Sequence, residues 1–168
     1  MGTSFITDRT LLLALEKRSI WVPCPEGQML FRQGNAALGL YIFNRGRGSL
    51  VLKADNGREV LHLTAGTGSI LGLPEVVGKH TYSLSAMAYP GSTVGFVPCK
   101  NFEELILTEP TLFPKVLEVL AAEVRSARIA LIEMMRTLGS RPARLSVRRT
   151  EQTHCGRNGF QFPLRRNI

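Results

Sequence analysis

Few residues in this chain have the types and spacing that reactive chemistry needs. His80, Tyr82 and Ser83 stand close together, but neighbours on a strand point to opposite faces, so proximity in the chain does not assemble a nucleophile with its base. No Gly-x-Ser-x-Gly elbow occurs to expose a serine at a strand-to-helix turn. His62 has no second His two residues away, as the clustered His and Glu ligands of a metal-holding β-roll would require. Gly46-Arg47-Gly48 and Gly66-Thr67-Gly68 lack the third Gly and the strand-to-helix setting of a dinucleotide loop. Cys24, Cys99 and Cys155 are odd in number and far apart, which argues against a disulfide framework and against a metal or iron–sulfur ligand set, and for buried reduced thiols. The expectation is a protein that is not an enzyme, holds no metal and has no assignable cofactor beyond a small-molecule effector of unknown identity.

Charge narrows the partners. Of the net +8 on 168 residues, +6 falls after Ser140, where seven Arg face only Glu151; the preceding 140 residues carry 14 basic against 12 acidic groups. Phosphate attraction therefore belongs to the segment 140–168, which has little apolar periodicity and reads as a basic, disordered or truncated tail. Without a rigid element to present to a groove, it is expected to bind nucleic acid only weakly and without sequence preference. No window approaches the roughly 18 consecutive apolar residues of a membrane span, and Met1 to Thr10 lacks the basic start and apolar middle of a secretory signal, so a cytoplasmic protein with no membrane partner is expected.

The elements that must position any site are legible in the spacing. Leu11, Leu12 and Leu15 share one face of a short helix over 7–18, with Thr7 as a candidate cap. Pro23, Pro25 and Gly27 break the chain. Short apolar runs bounded by Gly, Pro or Asn then give candidate strands at 28–31, 38–43, 48–53, 59–63, 69–73, 82–88 and 93–97. Asp55-Asn56-Gly57 supplies the positive φ of a tight hairpin between the third and fourth. Such strands close into an antiparallel barrel or jelly roll, which leaves few exposed edges.

A short helix over 101–108 follows, and Pro110 opens a long one ended by Gly139. Phe113, Leu117, Leu120, Val124, Ala127, Leu131, Met134 and Leu138 alternate in steps of four and three, the seam of a coiled coil. Val116, Val119, Ala121, Ile129, Ile132 and Met135 beside them are also apolar, so the helix is expected to pack on its own roll and, through the seam, on a second copy in a homodimer.

The order short helix, Gly-rich roll, long helix, with Leu30-Phe31-Arg32-Gln33-Gly34, Gly39-Leu40-Tyr41-Ile42-Phe43, Gly46 and Gly48-Ser49-Leu50-Val51, resembles the sensory, cyclic nucleotide-binding-like domain of Crp/Fnr transcription regulators over roughly residues 7–140. The resemblance implies a mainly β fold, a double-stranded β-helix or jelly roll over 7–109, a dimerisation helix over 110–139 and an effector pocket between them. It implies pocket residues Ile70, Gly72, Leu73, Glu75, Thr81, Tyr82 and Ser83, with Arg125 and Arg128 approaching from the helix.

In that family a Gly-Glu pair grips the ribose, and an Arg-Ser or Arg-Thr further along grips the phosphate. Here Gly72 matches, Leu73 stands where the acid belongs, and Thr81 or Tyr82 stands where the Arg belongs. Glu75 either opens a helix after Pro74 or faces a ribose; Lys79 and His80 either turn the chain or approach a phosphate. A permanent anion buried without a fixed cation is costly, so the cyclic-nucleotide pocket is read as degenerate. The residues after Ser140 show no two-helix pattern, so the family's winged-helix DNA-binding domain is not expected among them. The expected function is an effector-sensing, dimerising domain of a Crp/Fnr-like regulator. The alternative is a ligand-free dimerisation module that pairs with a full-length regulator.

Overall fold

The computed structural model describes residues 8–137; Thr7, Leu138, Cys155 and the basic segment 140–168 singled out above lie outside the described residues. Helix α1 spans Arg9–Glu16, shorter than the periodicity predicts. Its N-cap is Asp8, which accepts from the Thr10 N–H at 2.9 Å. Leu11, Ala14 and Leu15 turn inward.

Eight strands follow: β1 Ile20–Cys24, β2 Gln28–Phe31, β3 Gly39–Arg45, β4 Arg47–Lys53, β5 Glu59–Gly66, β6 Ile70–Leu71, β7 Ser85–Ala88 and β8 Ser92–Pro98. They form two antiparallel four-stranded sheets ordered β1-β8-β3-β6 and β2-β7-β4-β5, the jelly-roll architecture expected. Strand β1 is absent from the prediction because Pro23 interrupts it. A proline is tolerated there because β1 is a sheet edge, and Pro23 sits opposite Thr93 of β8. The Asp55-Asn56-Gly57 hairpin is present between β4 and β5, with Gly57 at φ 79° and the Ala54 N–H donating to Arg58 O at 2.9 Å.

The strand predicted at 69–73 stops at Leu71, because Gly72 adopts φ 82° and Pro74 starts helix α2, Leu73–Gly78. The strand predicted from Tyr82 begins only at Ser85. The chain before it leads from β6 in one sheet to β7 in the other; Tyr82, Ala86 and Ala88 are buried and Leu84 is half-buried.

Helix α3, Cys99–Thr108, leads through a 3-10 turn at Pro110–Leu112 into α4, Phe113–Thr137. Two cores result. One lies between the sheets around Phe31, Phe43, Leu50, Leu71, Tyr82 and Val94. The other joins the β3/β8 face to the helices through Leu11, Leu15, Leu40, Leu73, Leu105 and Val116. Lys115 of α4 pairs with Asp8 at 3.4 Å and anchors the long helix against α1.

Candidate functional site

The β6–α2 corner is built around three contacts. Gly72 holds φ 82°, and a Cβ there would come within 2.8 Å of the Tyr82 ring, so this position requires both the freedom and the smallness of glycine. Tyr82 donates its hydroxyl to Gly39 O at 2.5 Å and stacks on Phe31 with ring centroids 3.9 Å apart. Burial pushes its phenol up to about 12. Glu75, in the first turn of α2, accepts from the Ser83 N–H at 3.2 Å and from the Ser83 hydroxyl at 2.5 Å, both at Oε1.

This corner faces a cavity of about 350 Å³ between the β4/β5 sheet and α4. Leu50 lies opposite Leu63, and Leu52 opposite Leu61, across the β4–β5 pair, and these four leucines form one wall. Phe31, Ile70, Leu71, Gly72, Pro74 and Leu84 continue it, and Val124 and Ala127 close it from α4. The charged groups of the lining are Glu75 and Glu123; it contains no Arg, Lys or His. Desolvation by the cavity walls, with the Glu75 charge as the second cause, pushes the Glu123 carboxyl up to about 8.

The structure brings Ile70, Gly72, Glu75 and Ser83 together on this cavity and keeps the other residues predicted for the pocket off its lining. Leu73 is fully buried in the helical core. Thr81 is exposed and bridges Ala36. Tyr82 stands behind Phe31, supporting the wall rather than forming it. Arg125 and Arg128 are exposed, because at about 3.6 residues per turn the arc of Glu123, Val124 and Ala127 turns Arg125 nearly to the opposite side of α4. Lys79 ends α2 at φ 55° and pairs with Glu103 at 3.6 Å, away from the cavity. Sequence reasoning missed Glu123 and the four leucines. The alternation Leu50/Leu52 and Leu61/Leu63 across a hairpin was the available signal for the wall, and an acid set inside the apolar α4 pattern was the signal for Glu123.

Helix α4 is divided along its length. Val116 and Val119 are buried against the chain's own helices, whereas Phe113, Leu117, Val124 and Leu131 of the seam are 50%, 49%, 51% and 41% exposed. Leu120 is half-buried against the helical core, Met134 is half-buried, and Ala127 is exposed. Ile129, Ile132 and Met135 also remain exposed. Among the described residues no group of three His, Cys, Asp or Glu could hold a metal ion, and no helix is long and apolar enough to cross a membrane.

Comparison with known proteins agrees with this architecture. The chain is 26% identical over 139 residues to rat (Rattus norvegicus) patatin-like phospholipase domain-containing protein 7, a match covering 79% of this chain and 10% of that protein. The chain thus spans about a tenth of the length of this curated relative. The fold matches the Thermus thermophilus catabolite activator protein at TM-score 0.62 and 23% identity, over 76% of this chain and 60% of that one. It also matches oxidized CprK in complex with o-chlorophenolacetic acid at TM-score 0.63 and 14% identity, over 77% of this chain and 53% of that one. Residues 21–109, which run from β1 through the roll and its cavity wall to the end of α3, match the model of the cyclic nucleotide-binding domain, and the chain belongs to that family.

Proposed function

We propose that this chain is an effector-sensing, dimerising domain of the kind found in Crp/Fnr-like regulators, with a pocket that has lost its affinity for cyclic nucleotides. The roll with α1 and α3 (7–109) forms the sensing unit, and the long helix (110–139) joins two copies. One observation carries the reading: the cavity between the sheet and α4 is walled by apolar side chains and two carboxylates, and its lining holds no cation. A cyclic phosphodiester would be buried there against like charge, without the charge-assisted hydrogen bonds that normally offset its desolvation. A ligand with an apolar body meets matching walls. The fold neighbour CprK, in complex with o-chlorophenolacetic acid, supports a small non-nucleotide ligand on this architecture.

Val124 and Ala127 belong both to the cavity lining and to the seam of α4. A ligand touching them biases the pairing of two helices to the extent that it binds the two arrangements differently. A thermal-shift screen against nucleotides and metabolites tests the reading. An effector at 100 times its dissociation constant raises stability by about 2.7 kcal/mol. Silence across the whole panel favours the rival reading, a ligand-free module that dimerises with a full-length regulator.

A further inference from the structure

We infer that the cavity selects a lipophilic ammonium, a molecule with an apolar body of roughly eight to ten heavy atoms and one protonated amine, held by Glu75 and Glu123. This deepens the effector reading and rests on it. The polar side chains of the lining, Glu75, Ser83 and Glu123, are unequal in what they offer. Ser83 spends its hydroxyl and its N–H on Glu75 Oε1, which aims that carboxylate and leaves Oε2 as an acceptor. Glu123 has no hydrogen-bond or ion-pair partner among the described residues and faces the charge of Glu75. Two carboxyl groups lie among leucines, and no basic side chain of the lining answers them. An ammonium supplies the missing charge and several N–H donors at once, whereas an anion is repelled by the Glu75 carboxylate and a neutral alcohol leaves its charge unanswered. The leucine wall of β4 and β5 then takes the apolar body.

The raised Glu123 carboxyl gives the same inference a second readout. An ammonium pairs with the ionised form, so below about pH 8 its binding must expel a proton from Glu123. Affinity therefore rises with pH up to about 8 and levels off until the amine itself loses its proton near pH 10. Among the lining residues, Glu75 is the only other ionisable group facing Glu123.

The experiment uses three matched probes, 4-phenylbutylamine, 4-phenylbutan-1-ol and 4-phenylbutanoate, with calorimetry and thermal shift on the full chain between pH 6 and 8.5. The amine is expected to bind tightest and the carboxylate weakest. Glu123→Gln, which keeps the shape, should weaken the amine at least about tenfold while changing the alcohol less than about twofold. Alcohol or carboxylate binding as tightly as the amine, or amine affinity that is flat with pH and unmoved by Glu123→Gln, overturns the inference and leaves the effector reading in place. Silence from all three probes while the metabolite panel yields a ligand overturns the charge inference alone. Silence from probes and panel together overturns both.

Discussion

Glu75 and Ser83 lie on opposite sides of the turn that leaves α2, and Glu75 Oε1 accepts both the N–H and the hydroxyl of Ser83, at 3.2 and 2.5 Å. The turn between them contains Lys79, whose φ of 55° a non-glycine residue rarely adopts. The double hydrogen bond thus closes a loop whose backbone is held in a costly conformation, and it fixes one carboxylate on the cavity lining. Leu73, where the resemblance would put an acid, is buried in the helical core, and the carboxylate of this corner is Glu75, two residues further on and held by Ser83.

Ser83→Ala removes the hydroxyl donor and leaves the N–H. Because Ser83 is exposed, the expected cost is about 0.5–1.5 kcal/mol by chemical denaturation with an unchanged denaturant slope. The larger effect is on order: the α2 turn should exchange its amide hydrogens faster than in the wild type, while β3 and β8 keep their protection.

Tyr82 gives an alkaline limit to stability. In the folded chain its phenol is pushed up to about 12, mainly by burial, while in the unfolded chain it ionises near 10. Its contribution is present below pH 10 and is lost as pH rises towards 12, because the unfolded chain releases the proton first. Tyr41 is shifted the same way by burial, so Tyr82→Phe should reduce this alkaline loss without abolishing it. At neutral pH the same substitution deletes the bond to Gly39 O and should destabilise by about 1–2 kcal/mol in thermal or urea unfolding.

Glu123 should make the ligand-free protein less stable as pH rises from 4.5 through 8. Burial and the Glu75 charge push its carboxyl up to about 8 from the ordinary 4.5. The unfolded chain therefore holds fewer protons across that window, and each step up in pH favours unfolding; the contribution is complete below 4.5 and gone above about 8. Glu123→Gln removes the slope. Urea midpoints of the two proteins at pH 5, 6.5 and 8 check this, and parallel curves would show that Glu123 ionises alike in both states.

How much of this was legible follows from which forces are local. The hairpin at Asp55-Asn56-Gly57, the strand at Gln28–Phe31 and the start of the long helix after Pro110 are set by turn chemistry and helix starts within a few residues, and they stand where the spacing puts them. Strand β1 was hidden because its hydrogen bonds come from β8, some seventy residues away in the chain, and only that pairing makes Pro23 an edge position. The cavity was half legible. Gly72, Glu75 and Ser83 fall within one short stretch of the sequence, but the facing of α4 depends on how the whole helix rotates against the roll. That rotation is set by Leu112, Val116 and Val119 entering the helical core, and it turns Glu123 inward and Arg125 outward.

The same rotation decides what the exposed seam of α4 does. With Val116 and Val119 committed to the chain's own core, Phe113, Leu117, Val124 and Leu131 remain about half exposed on a helix of 25 residues. A stripe of this length, roughly 37 Å at 1.5 Å per residue, is large for a monomer to leave in water. Pairing with a second copy would bury these side chains, each worth about 1.5–3 kcal/mol when fully removed from solvent. Leu117 lies outside the cavity lining, so Leu117→Glu tests pairing without touching the ligand site. Sedimentation equilibrium at micromolar concentration should give a dimer for the wild type and a monomer for Leu117→Glu, with the roll still folded by circular dichroism. Leu13→Glu serves as the control, since Leu13 is 46% exposed on α1, off the seam, and should leave the dimer intact. Equal masses for all three proteins at the monomer value would show that α4 does not join two copies, and the seam would then have to be assigned to another partner.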